Sequence, residues 1–513
     1  MYRAAFIAFA LFSATAAFAA IEDPVRIDAG MVSGTATASP EVRAYKGIPF
    51  AAPPVGDLRW RAPKPAAHWD GVRKADEFGA ECMQGGGGRG RGGRNVSEDC
   101  LYLNVWTGAQ KPGEKRPVMV WIYGGGYTSG SGSQAMYDGE ALAKKGAVVV
   151  TFNYRLGALG FFSYPELTTE SDRRAAGNFG VMDSIAALQW VQKNIAAFGG
   201  DPKRVTIFGE SAGAGMVANL MAIPQTRGLF ERAIGDSSAW STAQISKLQT
   251  LSEAEAAGTK VAAGLGAKSL ADLRAQPATA ILRGGGRGAA PIVDGWLIRE
   301  DPGNVFAEGK QIQVPILVGS NRDESFGGNP RSAADFIEQA HKRYGELAED
   351  FLKVYPASND EQAKESAFLS GRDEMAFVMR NWARLESKAG KARAYVYYFT
   401  EQPPVVPGAR GPFAPGPHGS ATHVSEILYV FNHLDNSRTW TDQDRKVADT
   451  MSSYWVNFAT NGDPNAKGLA KWAAWDEKTR KSMIFGNPPE GTQVPSDAGI
   501  AFFQSYFDKL IAK

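Results

Sequence analysis

Residues 204 to 215 read RVTIFGESAGAG, and their order decides what the chain can be. An apolar, β-branched run leads into Gly209-Glu210-Ser211-Ala212-Gly213, and SAGAGMVANLMAI (211 to 223) continues with helical spacing. A strand that turns abruptly into a helix forces its central residue into a strained backbone, so side chains on the neighbours would collide and glycine is needed there. Ser211 then stands exposed at a helix N-terminus, where developing negative charge is favoured. This is the one Gly-x-Ser-x-Gly in the sequence. A capping serine in a glycine-rich turn is the plainer alternative, but the strand before it and the helix after it favour a nucleophile.

Similar apolar runs lie on either side: VMVWIY (118 to 123), AVVVTFNY (147 to 154), VPILVGS (314 to 320) and ARAYVYYF (392 to 399). Helical patterns such as VMDSIAALQWVQKNI (181 to 195) alternate with them, which predicts an α/β sheet covered on both faces. With 513 residues and 44% hydrophobic composition the chain can bury a large core. Gly-, Arg- and Pro-rich stretches at 84 to 93, 283 to 290 and 403 to 419 read as surface loops rather than domain linkers, and no internal repeat divides the sequence.

A serine hydroxyl is too weak an acid to attack unaided, so a base and an orienting carboxylate must follow, here in the order serine, acid, histidine. Of the five histidines, His68 precedes the elbow, and His341 lies in AHKRYGELAED, a charged stretch that reads as a solvated helix face. His418, His423 and His433 remain. The segment HVSEILYVF (423 to 431) passes from polar to apolar after a long Pro/Gly loop, a position suited to swinging an imidazole over a sheet edge. His418, inside GPHGS, is its main rival, and spacing does not separate the two. For the acid, VPILVGSNRDES ends a strand in Asp323 and Glu324, where such sheets place functional groups, although a solvated acidic turn would read the same. VMVWIYGGGYTSG ends another strand in Gly124-Gly125-Gly126, whose N–H groups can closely approach a reacting oxygen, and the nitrogen of Ala212 adds a further donor.

The 56 basic and 54 acidic residues nearly cancel, so no overall field would hold the protein on a polyanion. The first residues, MYRAAFIAFALFSATAAFAA, carry one positive charge at Arg3 and an apolar stretch ending in Ala17-Phe18-Ala19, the pattern of a signal peptide spanning residues 1 to 19. Export to a secreted or periplasmic location is therefore expected, with no stable membrane insertion after cleavage. Cys82 and Cys100, the two cysteines of the chain, can pair in such a compartment. A bridge closing a loop of this size stabilises a fold by roughly 3 kcal/mol on the chain-entropy model.

Further segments complete a series: GIPFAAPPVGDLRWRAP (47 to 63), SEDCLYLNVW (97 to 106), WIYGGGY, NYRLGALGF (153 to 161), GNFGVMDSIAALQWVQKNIAAFGGDPKRVTIFGESAGA (177 to 214) and YWVNFATNGDPN (454 to 465). In this order they resemble the type-B carboxylesterase and cholinesterase family of the α/β-hydrolase fold. The resemblance implies one domain over residues 20 to 513, with a mostly parallel twisted sheet, helices on both faces and long loops forming an active-site gorge. It implies a triad of Ser211, Glu324 and His423, oxyanion donors at Gly125, Gly126 and Ala212, and supporting residues Glu210, Glu426 and Ser237. The implied activity is hydrolysis of a small-molecule carboxylic ester through an acyl-enzyme, with no metal, organic cofactor or nucleic acid. The leader resembles a bacterial one. Amide or carbamate cleavage by the same triad is the alternative, and a non-catalytic binding protein a remoter one.

In relatives the loop between these cysteines forms part of the gorge wall, so MQGGGGRGRGGRNVSEDC (83 to 100) is expected at the rim. Cholinesterases place a tryptophan there to stack on a quaternary ammonium. This loop holds no aromatic residue, and Arg89, Arg91 and Arg94 would repel a cation, which excludes choline esters. Those arginines, with Arg283 and Arg287, are expected to attract substrates bearing a carboxylate near the ester. A solvated loop with no substrate role is the other reading.

Overall fold

A computed structural model describes residues 21–85, 95–240, 244–285, 290–390, 392–406, 408, 418–487 and 495–512. Its centre is a ten-stranded sheet. In chain order the strands are β1 (Thr35–Ala36), β2 (Arg43–Pro49), β3 (Tyr102–Thr107), β4 (Arg116–Ile122), β5 (Val148–Phe152), β6 (Gly200–Glu210), β7 (Arg232–Asp236), β8 (Ile316–Asn321), β9 (Ala394–Phe399) and β10 (Met483–Phe485). Across the sheet they run β10-β9-β8-β7-β6-β4-β5-β3-β2-β1. The seven from β10 to β5 are parallel, and β3, β2 and β1 complete the sheet in antiparallel pairs.

The sequence pattern explains this layering. β7 and β8 are buried almost throughout, as is β6 from Val205 onward, because a parallel strand covered on both faces has no solvent side to alternate with. Helices α1 (Phe179–Asn194), α2 (Ala212–Ala222), α3 (Asp360–Ala389), α4 (Ile427–Val430) and α5 (Asp442–Asn461) supply the covers. α3 lies on β8 and β9, α2 on β6 and β7, and α5 on β4 and β6. The thirty-residue α3 starts at Asn359, whose side chain accepts from the Gln362 N–H, and ends at Gly390 with a left-handed φ of 86°.

The strand predicted over 147 to 154 spans Val148–Phe152, and just past its end Asn153 donates its N–H to the Tyr102 carbonyl at 3.0 Å while its Nδ2 holds the carbonyls of Ala80 and Cys100 at 3.0 and 3.2 Å. The stretch expected as a loop from 283 begins instead as the last turn of a helix, Ala278–Gly284. Cys82 and Cys100 are bonded, and Glu81–Cys82 pairs with Val96–Ser97 at the base of the loop they close.

Because β8, β7, β6 and β4 are neighbours and parallel, their C-terminal ends lie side by side at one edge of the sheet. Past those ends come Glu324, Ser237, Ser211 and the glycines 124 to 126. A sheet of this kind gathers such residues at that edge.

Candidate active site

Ser211 follows directly on β6 and caps α2 with φ 56° and ψ −128°, a left-handed backbone rare for a side-chain-bearing residue. Its N–H donates to the Asp236 carbonyl at 2.9 Å, so β7 holds the turn. The flanking glycines are sterically required: a Cβ on Gly213 would stand 2.0 Å from the Ile122 carbonyl oxygen, and one on Gly209 2.6 Å from it. Among the described residues the Ser211 hydroxyl has no hydrogen-bond partner, and the residue is partly open to solvent.

The glycine turn after β4 lies against the same elbow. A Cβ on Gly124 would stand 2.9 Å from both Ser211 Cβ and Glu210 Oε2. Gly125 and Gly126 have φ of 103° and 63°, a backbone that glycine adopts without steric cost. Among the described residues nothing accepts from the N–H of Gly125, Gly126 or Ala212.

His423 comes from the loop ahead of α4, next to Val424 with its own positive φ of 69°. Its Nδ1 lies 2.6 Å from Glu324 Oε2. A carboxylate can only accept, so Nδ1 carries the proton and Nε2 is the free base of the neutral ring. The other oxygen of Glu324 accepts from Ser237 Oγ and from the Asn321 N–H, both at 2.8 Å, which fixes the carboxylate. Nε2 faces Glu210 Oε1 at 3.0 Å, but that oxygen has no aligned hydrogen-bond donor, so the contact is an electrostatic one. The edge of Phe326 packs on the imidazole with ring centroids 4.8 Å apart.

The site is an acidic cluster around one imidazole. Burial alone would lower the His423 pKa, but Glu210, the hydrogen-bonded Glu324 and Glu426 outweigh it and push it up to about 9. Burial pushes the Glu210 carboxyl up to about 8 despite the pull of His423. Glu426 is raised to about 7, burial first and Glu324 second, opposed by an amide bond from Asn321 Nδ2. Burial also raises Asp236, whose Oδ1 accepts from the Tyr397 hydroxyl at 2.9 Å.

Ser211, Glu324, His423, Glu210, Glu426, Ser237, Gly125, Gly126 and Ala212 are thus gathered at one edge. Asp323 turns away, binding Arg322, Gln402 and the Ala421 N–H. His418 lies apart, stacked on Phe368. Arg89, Arg91, Arg94 and Arg287 fall outside the described residues. Arg283 is exposed and donates to the Thr279 carbonyl. Sequence reading missed Asp236, which anchors the elbow, and Asn321, which serves both Glu324 and Glu426. Their only signal was position, each being the last residue of a central strand.

Comparison with known proteins places the chain among enzymes. Residues 22–502 match the carboxylesterase family. The chain is 37% identical over 494 residues to a fumonisin B1 esterase of Sphingopyxis macrogoltabida, covering 90% of this chain and 85% of the relative. It is 32% identical over 486 residues to a para-nitrobenzyl esterase of Bacillus subtilis (strain 168), covering 89% and 93%. Among solved structures, a PNB esterase superposes with a TM-score of 0.77 at 32% identity over 90% of this chain and 95% of its own. A carboxylesterase of Geobacillus stearothermophilus superposes with a TM-score of 0.75 at 31% identity, covering 90% and 96%.

Proposed function

The chain belongs to the carboxylesterase family and hydrolyses small-molecule carboxylic esters, and from that premise we propose that it does so through an acyl-enzyme on Ser211. His423 Nε2 takes the hydroxyl proton as Ser211 attacks the carbonyl carbon. The N–H groups of Gly125, Gly126 and Ala212 receive the oxyanion, and Glu324 stabilises the imidazolium. The imidazolium then protonates the leaving alcohol. Water, activated by the same imidazole, hydrolyses the acyl-enzyme and restores the serine. The observation that carries this reading is the 2.6 Å contact of His423 Nδ1 with a carboxylate fixed on its far oxygen by two donors. Ser211 should be labelled by a fluorophosphonate with loss of ester turnover, and Ser211→Ala should be neither labelled nor active. Stoichiometric labelling at another residue would overturn it.

Two finer points belong to the same proposal. Export is supported by the leader pattern and by the bonded cysteines, since such a bridge persists in an oxidising compartment. A preference for esters bearing a carboxylate is supported by where the two Gly/Arg tracts begin. Met83, at the start of the first, and Leu282, next to the second, both pack into one small apolar cluster with Ala158 and Leu159. That cluster adjoins the glycine turn, because the Gly157 N–H donates to the Tyr127 carbonyl at 2.7 Å. The described ends of the two tracts therefore share one apolar cluster that borders the glycine turn. Replacing Arg89, Arg91 and Arg94 by Ala should lower kcat/KM for a carboxylated ester about tenfold relative to its neutral analogue, one screened charge contact or more. An unchanged ratio would end the idea.

A further inference from the structure

The glycine turn is closed on itself by its own Thr128 and Ser129 hydroxyls, each donating to the Gly125 carbonyl at 3.2 Å, but its exit has to be fixed from outside. The base of the disulfide-closed loop does this through one side chain. Gln84 Oε1 accepts from the Gly130 N–H at 3.0 Å, and its Nε2 donates to the Gly130 carbonyl at 3.1 Å and to the Cys82 carbonyl at 3.1 Å. The amide thus pairs with both polar groups of Gly130 as a neighbouring strand would. Gly130 is the exit of the turn. A Cβ there would lie 2.5 Å from the Tyr123 ring and 2.9 Å from the Gly124 carbonyl oxygen. Between these ends the Gly125 carbonyl accepts from the N–H groups of Thr128 and Ser129, both at 3.2 Å, closing the turn on itself.

A second amide grips the same segment two residues further on. Asn153 Oδ1 accepts from the Gly132 N–H at 2.9 Å, while its Nδ2 holds the carbonyls of Ala80 and Cys100. Both ends of the disulfide loop are therefore tied to the strand-like exit of the glycine turn.

We infer that Gln84 is a positioning residue for the oxyanion donors, transmitting the anchored frame of the Cys82–Cys100 loop to Gly125 and Gly126 through Gly130. This rests on the reading of Gly125 and Gly126 as those donors. Gln84 itself does not touch the reacting atoms. Its effect is felt in the transition state, because a donor displaced by a fraction of an ångström still lets substrate bind but no longer meets the oxyanion.

The test compares Gln84→Ala and the isosteric Gln84→Glu with the parent, all rates expressed per serine titrated by a fluorophosphonate. Gln84→Glu keeps an acceptor for the Gly130 N–H and loses both donors. In Gln84→Ala, kcat for a p-nitrophenyl ester should fall about 10- to 100-fold while KM changes less than about threefold. Inhibition by an aryl trifluoromethyl ketone, whose serine adduct places an oxyanion on the same donors, should weaken in step with kcat/KM. Gln84→Glu should lose at least as much, because its carboxylate would face the Gly130 and Cys82 carbonyls and Glu81 Oε2, which accepts from the present amide nitrogen at 3.4 Å. Unchanged kcat in both variants would overturn the inference. So would a fall in thermal midpoint, or a rise in KM, with trifluoromethyl ketone affinity intact. A parent protein with no titratable serine would instead overturn the assignment of Ser211 on which the inference rests.

Discussion

His418 and His423 stand five residues apart on one loop, and the protein gives them opposite surroundings. His418 lies on the surface, stacked on Phe368 at 3.7 Å between ring centroids, with Glu365 3.4 Å from its Nε2. That carboxylate is itself half-exposed, so water and salt screen the pair. His423 is held between Glu324 and Glu210, carboxylates almost wholly removed from solvent. There burial would lower the ring's pKa, but the two carboxylates outweigh it and push the pKa up to about 9, and Glu324 fixes which nitrogen carries the proton. The difference teaches that burial of the partner carboxylate, rather than its mere presence, decides how firmly an imidazole is held, and the ring held in this way is the one the proposed mechanism uses as its base.

The strongest attempt to break that comparison exchanges the two rings. His423→Ala should lower kcat by about four orders of magnitude, as loss of a triad base does, whereas His418→Ala should stay within about twofold of the parent. Steady-state hydrolysis of a p-nitrophenyl ester reads both, and a large loss at His418 would show the wrong ring had been chosen.

The adjacent acids make the next contrast. Glu324→Gln should cost about two to four orders of magnitude in kcat with the fold intact, because Nδ1 loses the charge that stabilises the imidazolium. Asp323→Asn removes one partner of the buried pair with Arg322 and loosens the Ala421 N–H that Asp323 holds. Its main effect should be on stability, roughly 3 kcal/mol by urea titration, with activity of the folded fraction nearly retained. Equal loss of kcat in both would erase the distinction.

The smallest effect is a shift along the pH axis. Glu210 is the leading influence raising the His423 pKa to about 9. Replacing it by Gln removes a carboxylate that favours the imidazolium, so the ring should lose its proton at lower pH and the acid limb of kcat/KM should move down by roughly one unit. An unmoved acid limb would mean that Glu210 sits protonated beside the ring and contributes no charge.

What the sequence by itself determined is local. The strand, the glycines and the helix of RVTIFGESAGAG are contiguous, so their steric rule could be read from the chain, and it placed the elbow at Ser211. The long parallel strands were legible for a like reason, since strands buried on both faces are uniformly apolar. Strands β1, β2, β3, β7 and β10 were not read: β1 and β10 have only two and three residues, and β2, β3 and β7 break their apolar runs with Lys46 and Pro49, with Asn104, and with Arg232 and Asp236. Resemblance named Glu324 and His423 where spacing left Asp323 and His418 open.

Only the tertiary structure decided how the acids divide their work. Adjacent residues at the end of β8 face opposite ways, Glu324 toward the imidazole and Asp323 toward Arg322, and no local pattern distinguishes them. The partners that settle the matter, His423 at one side and Gln402 and Ala421 at the other, arrive from about a hundred residues away. The same holds for Asp236 and Asn321, ordinary polar residues until parallel neighbours set their groups beside Ser211 and Glu426. Side-chain direction at a strand end follows from what packs over it, and burial that shifts a proton equilibrium comes from the whole assembly, so neither is written in any single stretch of the chain.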